Sequence, residues 1–223
     1  MRFIALLTLF AVSVTSHAAS FDCAKAATPT EKLICSNQRI SDLDEYLGRY
    51  YQTARAEVGR GGQCLAPNQR DWLRTVRNVC KDAACLERVY LNRLAELDPL
   101  QIGATALKNE NLPDVKALVW AIGPELDKVA APPPKTHVPL VVTGQIVNDQ
   151  EGGNGYVLRD AKGAKVILLP AMFVDKANYM ALEGFAAEEP RVYEAHGEAE
   201  PSGDGHVNFS PAACRLVWRL PKK

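Results

Sequence analysis

Histidine is scarce in this 223-residue chain: there are four, and after His17 only His137, His196 and His206 remain. No Gly-x-Ser-x-Gly occurs, which removes the serine nucleophile carried on a strand-to-helix elbow. Excess charge is missing too. The 26 Lys and Arg balance 26 Asp and Glu, so no strong field gathers nucleic acid by counterion release. Beyond the first residues, no stretch approaches the roughly twenty consecutive apolar residues that a spanning helix needs.

The N-terminus supplies the one apolar run, Phe3 to Val14 behind Arg2, too short to span a bilayer comfortably. It ends in Ser16-His17-Ala18, with small residues where a signal peptidase requires them. We read 1–18 as a signal peptide cleaved after Ala18, with Ala19 the near alternative. Lipid attachment needs cysteine directly after cleavage, and the first cysteine is Cys23, so the expectation is a periplasmic or secreted protein without a membrane anchor. Removal of Arg2 leaves one fewer basic than acidic side chain.

Six cysteines follow: Cys23, Cys35, Cys64, Cys80, Cys85 and Cys214. An even number in an exported chain favours disulfides, and six cysteines allow fifteen pairings. Zinc would need a second short-spaced pair beside Cys80 and Cys85, and none is near.

Thr28-Pro29-Thr30-Glu31 writes a helix start with a capping box, running toward Cys35. A second helix is expected from Ser41, with Leu43, Leu47, Tyr50, Tyr51, Ala54 and Val58 at helical spacing until Gly59, Gly61 and Gly62. A third follows the Pro67-Asn68 break through Trp72, Leu73, Val76 and Val79, and a fourth runs from Asp82 through Leu86, Val89, Tyr90, Leu94 and Leu97. A bundle this small needs staples. Residues 99–130 read as a weakly helical connector through Val115, Leu118, Val119 and Ile122, and 131–136 as a stiff proline linker.

From 137 to 223 the pattern is strands: Leu140 to Val147, Gly155 to Arg159, Lys165 to Leu169, Arg191 to Glu200, and Val207 to Trp218, interrupted at Pro211. Asp160-Ala161-Lys162-Gly163 is a hairpin turn, and Ala171 to Phe185 is helical. Three strands, a helix and two strands give an OB-like β-barrel. The expected class is α+β: a disulfide-stapled helical bundle (20–98) followed by that barrel.

Phe21-Asp22-Cys23-Ala24-Lys25-Ala26, Thr28-Pro29-Thr30-Glu31-Lys32-Leu33-Ile34-Cys35, Leu43-Asp44 with Leu47 and Tyr50, Gln69-Arg70-Asp71-Trp72-Leu73, Cys80, and Cys85-Leu86-Glu87-Arg88-Val89-Tyr90-Leu91-Asn92-Arg93-Leu94 recur in one order and spacing. In these residues the helical half resembles the N-terminal domain of the LprI-type lysozyme inhibitors, a module of exported bacterial proteins. The resemblance implies a helical domain with two disulfides and, for the founding member, inhibition of lysozyme; it implies no catalytic residue. Cys64 lies beyond the pattern, and this half lacks the acidic face that would steer it to a basic lysozyme.

Cys23 with Cys35 and Cys80 with Cys85 each bracket one turn or helix start, which makes them the expected local pairs. Cys64 and Cys214 are then left over and are expected to pair, tying the two halves together; two buried, reduced thiols are the alternative.

Arg70, Arg74 and Arg77 recur at helical spacing and form a candidate partner-binding face for an acidic cleft or an envelope glycan; a solvated helix surface is the plainer reading. Glu194, His196 and Glu198 alternate on one strand face, a possible metal ligand set that reads more simply as the polar side of a sheet. Gly152-Gly153-Asn154-Gly155 sits between strands and reads as a hairpin loop. The expectation is a non-enzymatic binding protein with no cofactor and no bound metal. Its expected partner is lysozyme or a related muramidase, or an envelope glycan or protein bound without inhibition, and not nucleic acid.

Overall fold

The computed structural model describes residues 19–102, 107, 110–124, 138–149, 155–163, 165–169, 176–188, 191–201, 207–210 and 213–222. The expected signal peptide, the proline linker, His137, His206 and Gly152 to Asn154 lie outside them.

Helix α1 (Pro29–Ser36) begins on the capping box: Thr28 Oγ1 accepts from the Glu31 N–H, and the Glu31 carboxylate accepts from Thr28 N–H at 2.8 Å and Ala27 N–H at 2.9 Å. Helix α2 (Gln38–Glu57) starts one turn before the expected Ser41, because the Asn37 side chain accepts from the Ile40 N–H. Helix α3 (Gly62–Thr75) corrects a second expectation by running through Pro67. Proline forfeits one backbone bond there. Burial of Cys64 and Leu65 just before it and of Gln69 and Trp72 just after holds the helix together. Helix α4 (Ala83–Leu97) is capped by Asp82, whose carboxylate accepts from Cys85 N–H at 2.8 Å.

The core of this unit is built by Ile40, Leu43, Leu47, Tyr50 and Ala54 of α2 against Leu65 and Trp72 of α3 and Leu86, Tyr90, Leu94 and Leu97 of α4. Leu118 and Trp218 from the sheet complete it.

The largest departure from the sequence reading concerns the connector. Ala117–Ile122 is a strand, β1, buried along its whole length. Its apolar spacing fits a helix, but a short continuous apolar run is equally the pattern of a strand covered on both sides. Here Leu118 enters the helical core, while Val119, Trp120 and Ile122 enter the core of the sheet, with a register shift between Leu118 and Trp120.

Strands β2 (Val138–Asp149), β3 (Gly155–Arg159), β4 (Lys165–Leu169), β5 (Tyr193–Pro201), β6 (Val207–Phe209) and β7 (Arg215–Arg219) complete a sheet ordered β1-β7-β5-β2-β3-β4-β6, with helix α5 (Lys176–Ala187) between β4 and β5. All pairings are antiparallel except β4 with β6. The β3–β4 turn closes as a hairpin: Gly163 takes φ +86°, and Asp160 accepts from Lys162 N–H at 2.8 Å. The sheet is open, not a closed barrel. Although β6 pairs with both β4 and β5, β7 and β1 extend the sheet past β5 to an edge at β1. The physical reason is the apolar connector, which buries one side against the helices and the other in the sheet core when it adds to β7.

The fold is therefore α+β, with helices laid on the β1–β7 side of the sheet. Gly61 permits that approach, since a β-carbon on it would stand 2.3 Å from the Ala121 carbonyl oxygen. Three disulfides join Cys23 to Cys35, Cys80 to Cys85 and Cys64 to Cys214, the last spanning 150 residues between α3 and the segment before β7.

Candidate functional site

The outer face of α3 leads directly into the α3–α4 loop. Arg70 and Arg74 stand exposed on the helix, Arg74 paired at 2.9 Å with the equally exposed Asp71. Arg77 does not join them. Helix α3 stops at Thr75, whose hydroxyl donates back to the Asp71 carbonyl at 2.7 Å, and the next residues form a 3-10 turn, Arg77–Val79. That change of path carries Arg77 inward.

There its guanidinium lies 3.5 Å from the buried carboxylate of Asp44. Asp44 accepts from the Tyr90 hydroxyl at 2.6 Å and from the Ser20 N–H at 2.9 Å and its hydroxyl. Burial, then the adjacent Asp44 charge, pushes the Tyr90 phenol well above its ordinary range. A signal for this was present in the sequence: Asp44 falls inside the apolar stripe formed by Ile40, Leu43 and Leu47, where a carboxylate requires partners.

A second buried network joins α3 to α4. Arg93, 2% exposed, donates to Gln69 at 3.0 Å, Asn68 at 2.7 Å and Glu96 at 2.7 Å, and lies 5.8 Å from the Trp72 ring. Desolvation lowers its pKa against the opposing pull of Glu96. Five residues of the sequence motif, Asp44, Gln69, Trp72, Tyr90 and Arg93, thus serve as internal frame.

Outside that frame, the α3–α4 loop is held at both ends, by Arg77 on Asp44 and by the Cys80–Cys85 bond. Asn78, Val79 and Lys81 face solvent, and Arg88 is exposed on the first turns of α4. Val79 is 57% exposed, the one large apolar side chain so exposed among described residues 19–100. Sequence reasoning assigned Val79 to the third helix and missed this loop. The clue was Val79 standing between Asn78 and the Cys80–Cys85 bracket.

Beside the loop, between α2 and α3, lies a groove of about 480 Å³ lined by Ser20, Asp44, Glu45, Arg49, Gln52 and Gln69 among others. Its charges are balanced and its amides can both donate and accept. Glu45 and Arg49 face each other at 4.0 Å on consecutive turns of α2.

On β5, Glu194, His196 and Glu198 alternate with the inward Tyr193 and Ala195. Glu194 accepts from Lys116 Nζ at 2.7 Å and pairs with the His196 ring, and Lys116 also lies 5.1 Å above the Trp218 ring. Burial opposes ionisation of Glu194, but Lys116 and His196 together hold its carboxyl below the usual range. Among the described residues no cluster of three His, Cys, Asp or Glu side chains is placed to hold a metal ion. Nor is any helix among them long and apolar enough to cross a membrane.

No family model matches the chain, and no solved structure does. Over 82 residues it is 32% identical to the lipoprotein LprI of Mycobacterium bovis, and equally so to the lipoprotein LprI of Mycobacterium tuberculosis. The matched stretch covers 35% of this chain and 40% of each of those relatives. The chain is therefore similar to LprI at a distance and over less than half of either protein.

Proposed function

We propose that this chain is an exported, non-catalytic binding protein that occupies a lysozyme or related muramidase and so protects the cell envelope. The observation that carries the reading is the 82-residue similarity to lipoprotein LprI, a protein of the type whose founding member inhibits lysozyme. The structure adds support of a different kind. Asp44, Gln69, Tyr90 and Arg93 of the motif are used up in buried pairs, which is what a rigid scaffold needs and what a catalytic site, with groups left free for substrate, does not. Three disulfides suit an oxidising compartment. The test is clearance of a cell-wall suspension by purified lysozymes of several classes, with and without micromolar mature protein. Slowed lysis supports the reading; unchanged lysis for every class overturns it.

A second reading rests on the sheet. Strands β2, β3 and β4, helix α5 and strands β5 and β6 follow the order of an OB-type unit, with β6 parallel to β4 and antiparallel to β5. On this reading the open, OB-like curl is an interaction module for an envelope glycan or another protein and inhibits nothing. Retention of the mature protein on isolated cell wall, without inhibition of lysis, would favour it.

A further inference from the structure

We propose that the α3–α4 loop, with Asn78, Val79 and Lys81 at its tip and Arg70, Arg74 and Arg88 around it, is the surface that enters the carboxylate-lined cleft of the muramidase. This rests on the inhibitor reading above and names the site that would carry it.

The loop has the mechanical property an inserted wedge needs. Its first residue is tied to the core by the Arg77 to Asp44 pair, with Asp44 in turn fixed by Tyr90 and Ser20. Its far side is closed by the Cys80–Cys85 bond and by the Asp82 cap on α4. A loop restrained in this way loses little freedom when it binds, so its contacts are not spent on ordering it.

Its chemistry is matched to one kind of partner. Arg70, Arg74, Lys81 and Arg88 are exposed; of the carboxylates beside them in the sequence, Asp71 pairs with Arg74 at 2.9 Å, Glu87 with Arg39 at 3.0 Å, and the Asp82 side chain is engaged by the Cys85 N–H. The surroundings of the tip are therefore cationic although the whole chain is neutral. A glycoside hydrolase that cuts cell-wall glycan carries a pair of carboxylates at the centre of its cleft. Arg and Lys side chains pair with such groups, and an apolar tip fills the space that the sugar ring vacates. Val79 supplies that tip. Single exposed apolar residues are common and mean little alone. Val79 differs in sitting in a doubly pinned turn, two residues before the exposed Lys81.

The experiment uses the full mature chain and a purified c-type lysozyme. Binding is measured by calorimetry or interferometry for the wild type, for Val79→Asp and Lys81→Glu singly and together, and for Lys25→Glu, an exposed change distant in sequence from the loop. Each variant is first checked for an unchanged thermal midpoint. The expected result is at least tenfold weaker binding for the double variant, little change for Lys25→Glu, and competition between the wild type and a chitin oligosaccharide that fills the cleft. Equal binding and inhibition by wild type and loop variants would overturn this inference while leaving the inhibitor reading intact. If the wild type binds none of the lysozyme classes used in the lysis test, both fall together. Should Val79→Asp shift the melting midpoint, Val79→Ser replaces it, and hydrogen-exchange protection of 77–82 on adding lysozyme decides the matter: protection supports the inference and its absence overturns it.

Discussion

Arg77 reaches across from the end of α3 to lie 3.5 Å from Asp44, on the neighbouring helix α2. Both side chains are withdrawn from solvent, and the Tyr90 hydroxyl and Ser20 complete the carboxylate's partners. Asp44→Ala would leave a guanidinium and a phenol without their acceptor. Breaking a buried pair from one side costs about 3–5 kcal/mol, because the surviving charge stays desolvated. We expect a large fall in the urea midpoint, with a smaller one for Asp44→Asn, which keeps part of the hydrogen bonding. An unchanged midpoint in both would show that the network contributes nothing to stability.

Gly61 and Gly184 make a paired test of the helix-on-sheet contact. A methyl group at Gly61 meets the Ala121 carbonyl oxygen at 2.3 Å, whereas one at Gly184 in α5 meets nothing within 4 Å. Gly61→Ala should destabilise by roughly 1–3 kcal/mol, as overpacked sites do. Gly184→Ala should stabilise by roughly 0.5–1 kcal/mol, because alanine loses less backbone freedom in a helix. Thermal melts of the two variants give opposite signs if the contact is as described.

Acid should loosen the loop that Arg39 holds. Its guanidinium pairs with Glu110 through two nitrogens, one bond at 2.8 Å, and with Glu87 at 3.0 Å. The Arg39 hydrogen bond holds the Glu110 carboxyl below its ordinary value. A depressed folded pKa contributes stability that is present above the unfolded value, about 4.3, and lost as pH falls through the folded one. Unfolding midpoints taken from pH 6 downward should fall less steeply below about pH 4.5 in Glu110→Gln than in the wild type. Parallel curves would assign the acid sensitivity elsewhere, for example to Glu31, another carboxyl held low, by the Thr28 and Ala27 N–H groups.

Cys64 and Cys214 close a span of 150 residues, for which the chain-entropy model gives about 5 kcal/mol. Replacing both by serine should lower the urea midpoint by a corresponding amount, and non-reduced peptide mapping of the parent should recover the cross-linked pair. Recovery of two free thiols from the denatured, unreduced protein would refute the bond.

The helical half was legible in the sequence because its signals are local. Thr28 and Glu31 form the capping box that their spacing announces, and Asp82 caps α4. What escaped notice depends on contacts between distant residues. Arg77 has helical spacing from Arg70 and Arg74, yet the chain leaves the helix at Thr75, and the attraction of Asp44 is invisible at that range. Leu118 and Ile122 fit a helix until Trp218 and Arg215 on β7 are known to pair with them. The strands after residue 137 were legible from alternation and turn residues, but the openness of their sheet was not, since it is decided by where β1 attaches.

β1 also changes what counts as a separable piece of this protein. The packing of the helical half is finished by Leu118 and Trp218, contributed from the sheet. A chain truncated after Leu100 would leave Leu94, Leu97 and Leu100 without their cover and present a greasy patch to water. The helical module is thus a vessel without a lid, and wherever it is joined to a different partner that partner inherits the task of closing it.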